Sequence, residues 1–323
     1  MVKDSRAGRP LLSIAIPVYN GMDTLSDALD SIVSQLSPGV EVVLSDNAST
    51  DGTPALIRDV AARHPSVILF ENPENVGPMK NIELAVERAT GEFVWLFGDD
   101  DRLRPGTIAR VLEVIREEPG VGFISCNADM FGSRTQIVQE NTMGISEDRR
   151  VSGVEETFVA LHDHIGLIPT IIVRRSSWLE QARLDGRLDH WMHVRRVLGI
   201  AQHEDTYCLA EPRVMMDQSV VRWNQEGKFL TIIAEFCELV NELELSPELK
   251  KQRVSLWYRN LWTHIVVAKL HAWRFDRRLV ARLMSIFGGH PRFWVFDLPL
   301  LLAPRFVLRA LNALRPGAKA AIA

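Results

Sequence analysis

Five short apolar runs alternate with four segments of helical periodicity between residues 11 and 126, and no other feature restricts the fold as much. The runs are Leu11–Val18, Glu41–Leu44, Val67–Phe70, Phe93–Phe97 and Val121–Cys126. A run that is apolar throughout needs cover on both faces. Helices placed between parallel strands provide that cover. The first helical segment follows Thr24 and Asp27, a capping-box pattern, with Leu25, Ala28, Leu29, Ile32 and Leu36 on one face. The second starts at Thr53-Pro54 as N-cap and first-turn proline and runs to about His64. The third runs from about Pro78 to Ala89 with Gly91 as terminator, and the fourth from about Pro105 to Glu117. The fold class is therefore α/β: a Rossmann-like, mainly parallel sheet with helices on both faces.

The fourth run ends abruptly against Gly98-Asp99-Asp100-Asp101. The aspartates thus lie at the C-terminal end of a buried strand, the edge where open α/β sheets bind ligands. Three adjacent anions repel one another unless a cation or donors stand nearby. A hard divalent metal carrying phosphate oxygens suits such a cluster; the alternative is a solvated turn. Right-handed crossovers place Tyr19-Asn20, Asp46 and Asp99–Asp101 along one edge. No GxGxxG and no GxxxxGK[ST] occurs, so a nucleotide would be held by side chains and a metal, not by a glycine cradle.

The 323 residues suffice for one large domain or two, and the net charge of −4 disfavours nucleic-acid binding as the main role. Cys126, Cys208 and Cys237 are far apart and lack CxxC spacing. That argues against a disulfide scaffold or a zinc site and fits a reducing compartment. The start of the chain has no apolar signal-peptide core, and no window reaches the ~20 apolar residues of a membrane span.

Residues 127–187 are less regular: a hairpin or loop over 130–151, then a short strand at Thr170–Val173. Asp189 precedes a helix from His190 to about Gln202. Thr206–Leu209 and Val214–Met216 read as two short strands before Arg222-Trp223-Asn224. From Lys228 the pattern is helical, which suggests domains at 10–225 and 226–323. Near the end, Arg305, Arg309 and Asn312 line one face of a helix, and Val307, Leu311 and Leu314 another. Such a basic amphipathic helix beside Phe293-Trp294-Val295-Phe296 suits either a membrane interface or ordinary packing on the catalytic domain.

Ile16-Pro17-Val18-Tyr19-Asn20, Ser45 to Thr53, Asn75-Val76-Gly77 with Asn81, Thr90-Gly91-Glu92 and Asp99-Asp100-Asp101 occur in a characteristic order. In order and spacing they resemble the inverting family-two glycosyltransferases over residues 11–126, less so to about 224. The resemblance implies a GT-A fold and a nucleotide-diphospho-sugar donor. It implies that Pro17, Tyr19, Asn20 and Asp46 hold the base and ribose, with Lys80 reaching base or phosphate, or else solvated. The acidic triplet resembles the family's metal-binding DxD, with Mn²⁺ or Mg²⁺ as the cofactor. The usual Leu-Asp before the last carboxylates is Phe97-Gly98 here. Aligned from the right, Asp100 is the principal metal ligand and Asp99 faces the ribose; aligned literally, Asp99 and Asp101 form the pair.

Single-step inversion needs a base for the acceptor hydroxyl. The resemblance points to Asp189 in Leu188-Asp189-His190-Trp191; its other reading is a helix N-cap. Glu204-Asp205 is the competing carboxylate pair, His190 and His193 are structural or assisting, and Arg222 is a candidate for the diphosphate. The expected activity is transfer of a sugar to a carbohydrate or lipid-linked acceptor hydroxyl in bacterial surface polysaccharide or glycolipid assembly. The expected place is the cytoplasm, with peripheral contact at the inner face of the membrane. A metal-dependent nucleotidyl or phosphoryl transferase and a non-catalytic nucleotide-sugar-binding protein are the alternatives.

Overall fold

Strand β1 (Leu12–Val18) pairs in parallel with β2 (Val40–Asp46) on one side and β4 (Phe93–Leu96) on the other. Its even-numbered residues Leu12, Ile14, Ile16 and Val18 are fully buried, in a cluster with α1 (Leu25–Val33), α2 (Thr53–Arg63) and α4 (Thr107–Glu117). The other face receives α3 (Pro78–Arg88), which packs on β1 and β2. Each fully buried Leu, Ile or Val on these faces contributes roughly 1.5–3 kcal/mol, which is why the apolar runs are strands and not loops. The structure is a computed structural model that describes residues 9–133, 136–217, 228–270 and 275–303.

Among the described residues the sheet has ten strands. The main path is β3 (Val67–Glu71), β2, β1, β4, β9 (Ile171–Arg174), β6 (Val121–Ser133), β10 (Asp205–Asp217) and β5 (Arg102–Leu103). Short strands β7 (Gln136–Gln139) and β8 (Arg149–Val151) pair antiparallel with β6 and β10. β9 runs antiparallel between β4 and β6, so β3, β2, β1, β4, β6 and β10 all point the same way. The strand alternation was legible, but the reversed β9 inside the sheet was not.

Several local expectations need correction. Thr24 precedes α1 but makes no side-chain cap bond; its hydroxyl points back to the Gly21 carbonyl at 3.5 Å. Thr53 is the first residue of α2, one place after the cap, and its hydroxyl accepts from the Gly21 amide instead. Gly91 is not a left-handed helix stop: a Cβ there would lie 2.5 Å from Ser13 Oγ and 2.7 Å from Ser13 N. The need is close approach of two backbones. The two strands expected at 206–216 are one strand, β10, with a bulge between Leu209 and Val214. Asn127 of β6 fills the bulge by donating to the Ala210 carbonyl at 2.7 Å. Helices α5 (Val154–Leu161) and α6 (Arg175–Leu184) were not anticipated, and α7 spans Met192–Ala201.

The chain divides into two compact units between residues 220 and 221. The second holds α8 (Phe229–Glu242), α9 (Pro247–Leu270), α10 (Arg277–Phe287), a π-turn at Phe293–Asp297 and α11 (Leu298–Leu302). Its core joins Leu230, Ile233, Leu261, Ile265, Leu283 and Phe293. No described helix is long and apolar enough to cross a membrane. The helix expected around Arg305, Arg309 and Asn312 and the candidate Arg222 lie outside the described residues. All three cysteines are buried free thiols.

Candidate active site at the carboxyl edge of the sheet

Parallel pairing aligns the ends of the strands. Pro17 stands opposite Ser45, Val18 opposite Asp46 and Asp46 opposite Glu71. Pro17 is tolerated in a central strand because the β1–β4 ladder has already stopped at Ala15, the last residue paired with β4. Beyond Val18 the chain turns at Asn20, whose φ is +51°. The turn is fastened to the loop after β2: Asn20 N donates to Ser49 Oγ at 2.9 Å, and Thr50 N donates to Asn20 Oδ1 at 2.8 Å. Tyr19 is left exposed beside it.

Asp46 is 2% exposed. Its Oδ2 accepts from Ser49 N at 3.2 Å, while its buried Oδ1 has no hydrogen-bond partner among the described residues. A buried carboxylate oxygen left unpaired is costly, so a donor from outside the chain is the natural partner. Around it lies a polar lattice that composition alone does not reveal. Asn81 donates to the Ser45 carbonyl at 2.8 Å and accepts from Asn72 at 2.9 Å. Asn47 donates to Asn75 at 2.9 Å, and Arg88 donates to Ser45 Oγ and Asn72 Oδ1, each at 2.7 Å. The motif residues Asn75 to Gly77 and Asn81 thus hold the Asp46 loop in place.

The acidic triplet follows β4. Asp99 packs on the β1 loop, where a Cβ on Gly21 would lie 2.7 Å from Asp99 Oδ2. Gly98 has a reason as well: a Cβ there would overlap the Asp101 carboxylate and lie 2.9 Å from Asp100 Oδ1. A larger residue would push both carboxylates away. Directly after the triplet, β5 pairs with the end of β10, Arg102 opposite Met215 and Leu103 opposite Val214. This brings in a fourth carboxylate, Asp217, whose amide donates to Asp101 Oδ1 at 3.3 Å. Sequence spacing gave no sign of Asp217, because the β5–β10 pairing is what makes it a neighbour. Burial, then Asp100, and to a smaller extent Asp99 and Asp217 hold the Asp101 carboxyl well above the usual carboxylate range; the Asp217 amide opposes them. Such a cluster gains from a cation. Among the described residues, no three acidic, histidine or cysteine side chains converge as a ready metal cage.

Lys80 is partly exposed and pairs with Glu83 at 2.8 Å on its own helix. Glu83 also holds the buried Arg196 of α7 at 2.8 Å, and the two cations keep its carboxyl below the usual range against burial. Asp189 lies before α7. Because α7 leads into the start of β10, its own start lies toward the edge that carries Asp46 and the triplet. Both N-cap-like and ionic roles are visible: Asp189 Oδ1 accepts from Trp191 N at 3.0 Å, and Oδ2 pairs with Arg195 at 3.0 Å. Arg195 also meets Asp185 at 3.1 Å. His193 is buried, with Nε2 3.0 Å from the Gly166 carbonyl, and burial pushes its pKa down to about 4. At neutral pH the ring is uncharged.

The competing carboxylates fall elsewhere. Glu204 pairs with Arg174 at 2.8 Å, and Arg174 also meets Glu92 at 2.8 Å. Asp205 opens β10 and is held by Arg150 and Ser152. These groups occupy the amino edge of the sheet, with Thr90, whose amide donates to buried Glu41 at 2.7 Å. The Thr90-Gly91-Glu92 motif is therefore scaffold, not site.

The profile described as "Glycosyl transferase family 2" matches residues 13–182. Abequosyltransferase RfbV of Salmonella typhimurium is 39% identical over 103 residues, 31% of this chain and 31% of that protein. The GalNAc(5)-diNAcBac-PP-undecaprenol beta-1,3-glucosyltransferase of Campylobacter jejuni is 26% identical over 144 residues, 44% of this chain and 46% of that protein. The chain thus spans less than half the length of these two relatives. The structure of S. aureus TarS residues 1–349 in complex with UDP-GlcNAc superposes with a TM-score of 0.62 at 17% identity, covering 94% of this chain and 91% of that one.

Proposed function

The chain belongs to glycosyl transferase family 2 and has a GT-A fold, and from that premise we propose that it moves a sugar from a nucleotide-diphospho-sugar to an acceptor hydroxyl with inversion. The observation that carries this reading is the buried, unpartnered Oδ1 of Asp46 on the same sheet edge as the acidic triplet. A base N–H is the donor that oxygen lacks. Pro17, Tyr19 and Asn20 flank the base, Asp99 faces the ribose, and Lys80 lies toward the phosphates. Asp100 would be the principal ligand of Mn²⁺ or Mg²⁺, shared with Asp99 or Asp101, and the ion when bound would neutralise charge on the departing diphosphate.

Asp189 accepts the acceptor's hydroxyl proton. The freed oxygen bonds to the anomeric carbon from the face opposite the nucleotide. The nucleoside diphosphate leaves with the electrons of the broken carbon–oxygen bond. Arg195 fixes the Asp189 carboxylate for this transfer. Residues 10–225 form the catalytic domain and 226–323 an acceptor- or membrane-associated region. The acceptor is a carbohydrate or lipid-linked glycan in bacterial envelope assembly, handled at the cytoplasmic side; the lipid diphosphate in the name of the C. jejuni relative supports that class. A thermal-shift series of nucleotide diphosphates with Mn²⁺ tests the reading, since a specific binder stabilises the folded state by mass action. Stabilisation by one nucleotide that disappears in Asp46→Ala is expected; no stabilisation by any would overturn it.

A further inference from the structure

Trp294, Val295 and Phe296 are 48%, 64% and 65% exposed, while Phe293 and Asp297 on either side are fully buried. A surface helix normally places polar residues on its outward face; this π-turn places three consecutive apolar residues there. The turn is well anchored from beneath. The Trp294 indole donates to the Gly288 carbonyl at 2.7 Å, and its ring stands edge-on to Phe293 at 6.0 Å. Phe293 in turn packs on Phe287. The exposed side chains are therefore presented on a fixed base.

The surrounding charge says what would cover them. The described residues 275–303 hold four arginines, Arg277, Arg278, Arg282 and Arg292, against two aspartates, and Arg282 pairs with Glu238. Asp276 is exposed at the groove and caps α10 through Leu279 N at 2.7 Å, while Asp297 is buried 3.8 Å from Arg292. Arg277 and Arg278 are exposed. Leu302, 65% exposed, borders an apolar groove of about 340 Å³ with Met284, Val280 and Phe275, and Arg277 at its margin. An apolar wedge, the exposed arginines Arg277 and Arg278 and an apolar slot match the layered chemistry of a bilayer with anionic headgroups: interface, phosphate, acyl chain.

We infer that this region docks on an anionic lipid surface, with Trp294, Val295 and Phe296 as the inserted wedge. The inference rests on the membrane-associated reading of residues 226–323 and deepens it by naming the lipid class and the inserted residues; it is tested without donor or acceptor, so it and the transferase reading fail separately.

The experiment is co-sedimentation of the full chain with vesicles of phosphatidylcholine alone or with a third phosphatidylglycerol. The expected result is at least tenfold tighter binding to the anionic vesicles. A Trp294→Ser, Val295→Ser, Phe296→Ser variant should lose at least tenfold, and an Arg277→Gln, Arg278→Gln variant should lose the phosphatidylglycerol preference. Quenching of fluorescence by brominated lipid, present in wild type and reduced in Trp294→Phe, gives the same answer if the triple variant does not fold. Failure of wild type to bind, or unchanged binding and quenching in the variants, overturns the inference. So does a concentration-dependent dimer, abolished by the triple substitution, in a protein that ignores vesicles.

Discussion

The Asp101 carboxylate accepts a hydrogen bond from the Asp217 amide at 3.3 Å, joining two residues 116 positions apart. The proton affinity of Asp101 is raised by burial and by Asp100. A carboxylate whose folded-state pKa is raised binds more protons when folded, so its contribution to stability is present at low pH and lost as pH rises through the folded value. At neutral pH without divalent ions, Asp101→Asn should therefore raise the melting temperature of the first unit, by on the order of 2–4 °C per kcal/mol for roughly 200 residues. The same variant should lose the stabilisation that Mn²⁺ plus nucleotide gives wild type. Thermal unfolding in EDTA and in Mn²⁺ checks both; a lower melting temperature in EDTA would mean Asp101 is stabilising as it stands.

Asp46→Ala should weaken nucleotide binding by about 1.5–3 kcal/mol, the usual range for a hydrogen bond to a charged group and roughly 10- to 100-fold in Kd. The fold should persist, because only Ser49 N loses a partner. Calorimetry with the nucleotide selected by the thermal-shift series reads the loss, and unchanged affinity removes Asp46 from the base pocket.

For Asp189→Asn the expected loss of transfer is about 10²- to 10⁴-fold, the span of a general base, with nucleotide affinity near wild type. Arg195→Ala should lower kcat with donor KM little changed, since it frees the Asp189 carboxylate without touching the edge at Asp46. Steady-state kinetics on both variants decide it. Near-normal turnover in Asp189→Asn would send the search for the base elsewhere.

His193 gives a pH signature of opposite sign. Its pKa falls from 6.5 to about 4 on folding. Between those values the unfolded chain binds more protons, so stability is present above pH 6.5 and is lost as pH drops toward 4. The gap is worth about 3 kcal/mol at its upper limit. His193→Gln keeps a donor for the Gly166 carbonyl but does not titrate. The advantage of wild type over the variant, followed by urea unfolding, should therefore shrink from pH 7 to pH 4.5. A difference flat across that range would show that the ring is not buried as a neutral group.

Much of the catalytic-edge layout was legible because it is local. Each apolar run and each helical stripe between residues 11 and 126 carries its own period, and parallel strands joined by helices must end along one edge. Asp46 and the triplet follow from that alone. The scaffold role of Thr90-Gly91-Glu92, the amino-edge place of Glu204 and Asp205, and the single bulged strand β10 did not follow. Each depends on what lies across the sheet, and a bulge held by Asn127 looks in sequence like a break between two strands.

Sequence by itself determined the alternating α/β architecture, the motif order that places the chain in its family, and the candidates Asp46, Asp99 to Asp101 and Asp189. Tertiary structure alone decided that Asp217 joins the acidic cluster and that Gly98 makes room for its carboxylates. It also decided that Asp46 keeps one buried oxygen unpartnered. The physical reason is distance along the chain. Periodicity is set by neighbours a few residues apart, whereas the charge, burial and pairing of a carboxylate are set by whatever the closed sheet brings beside it.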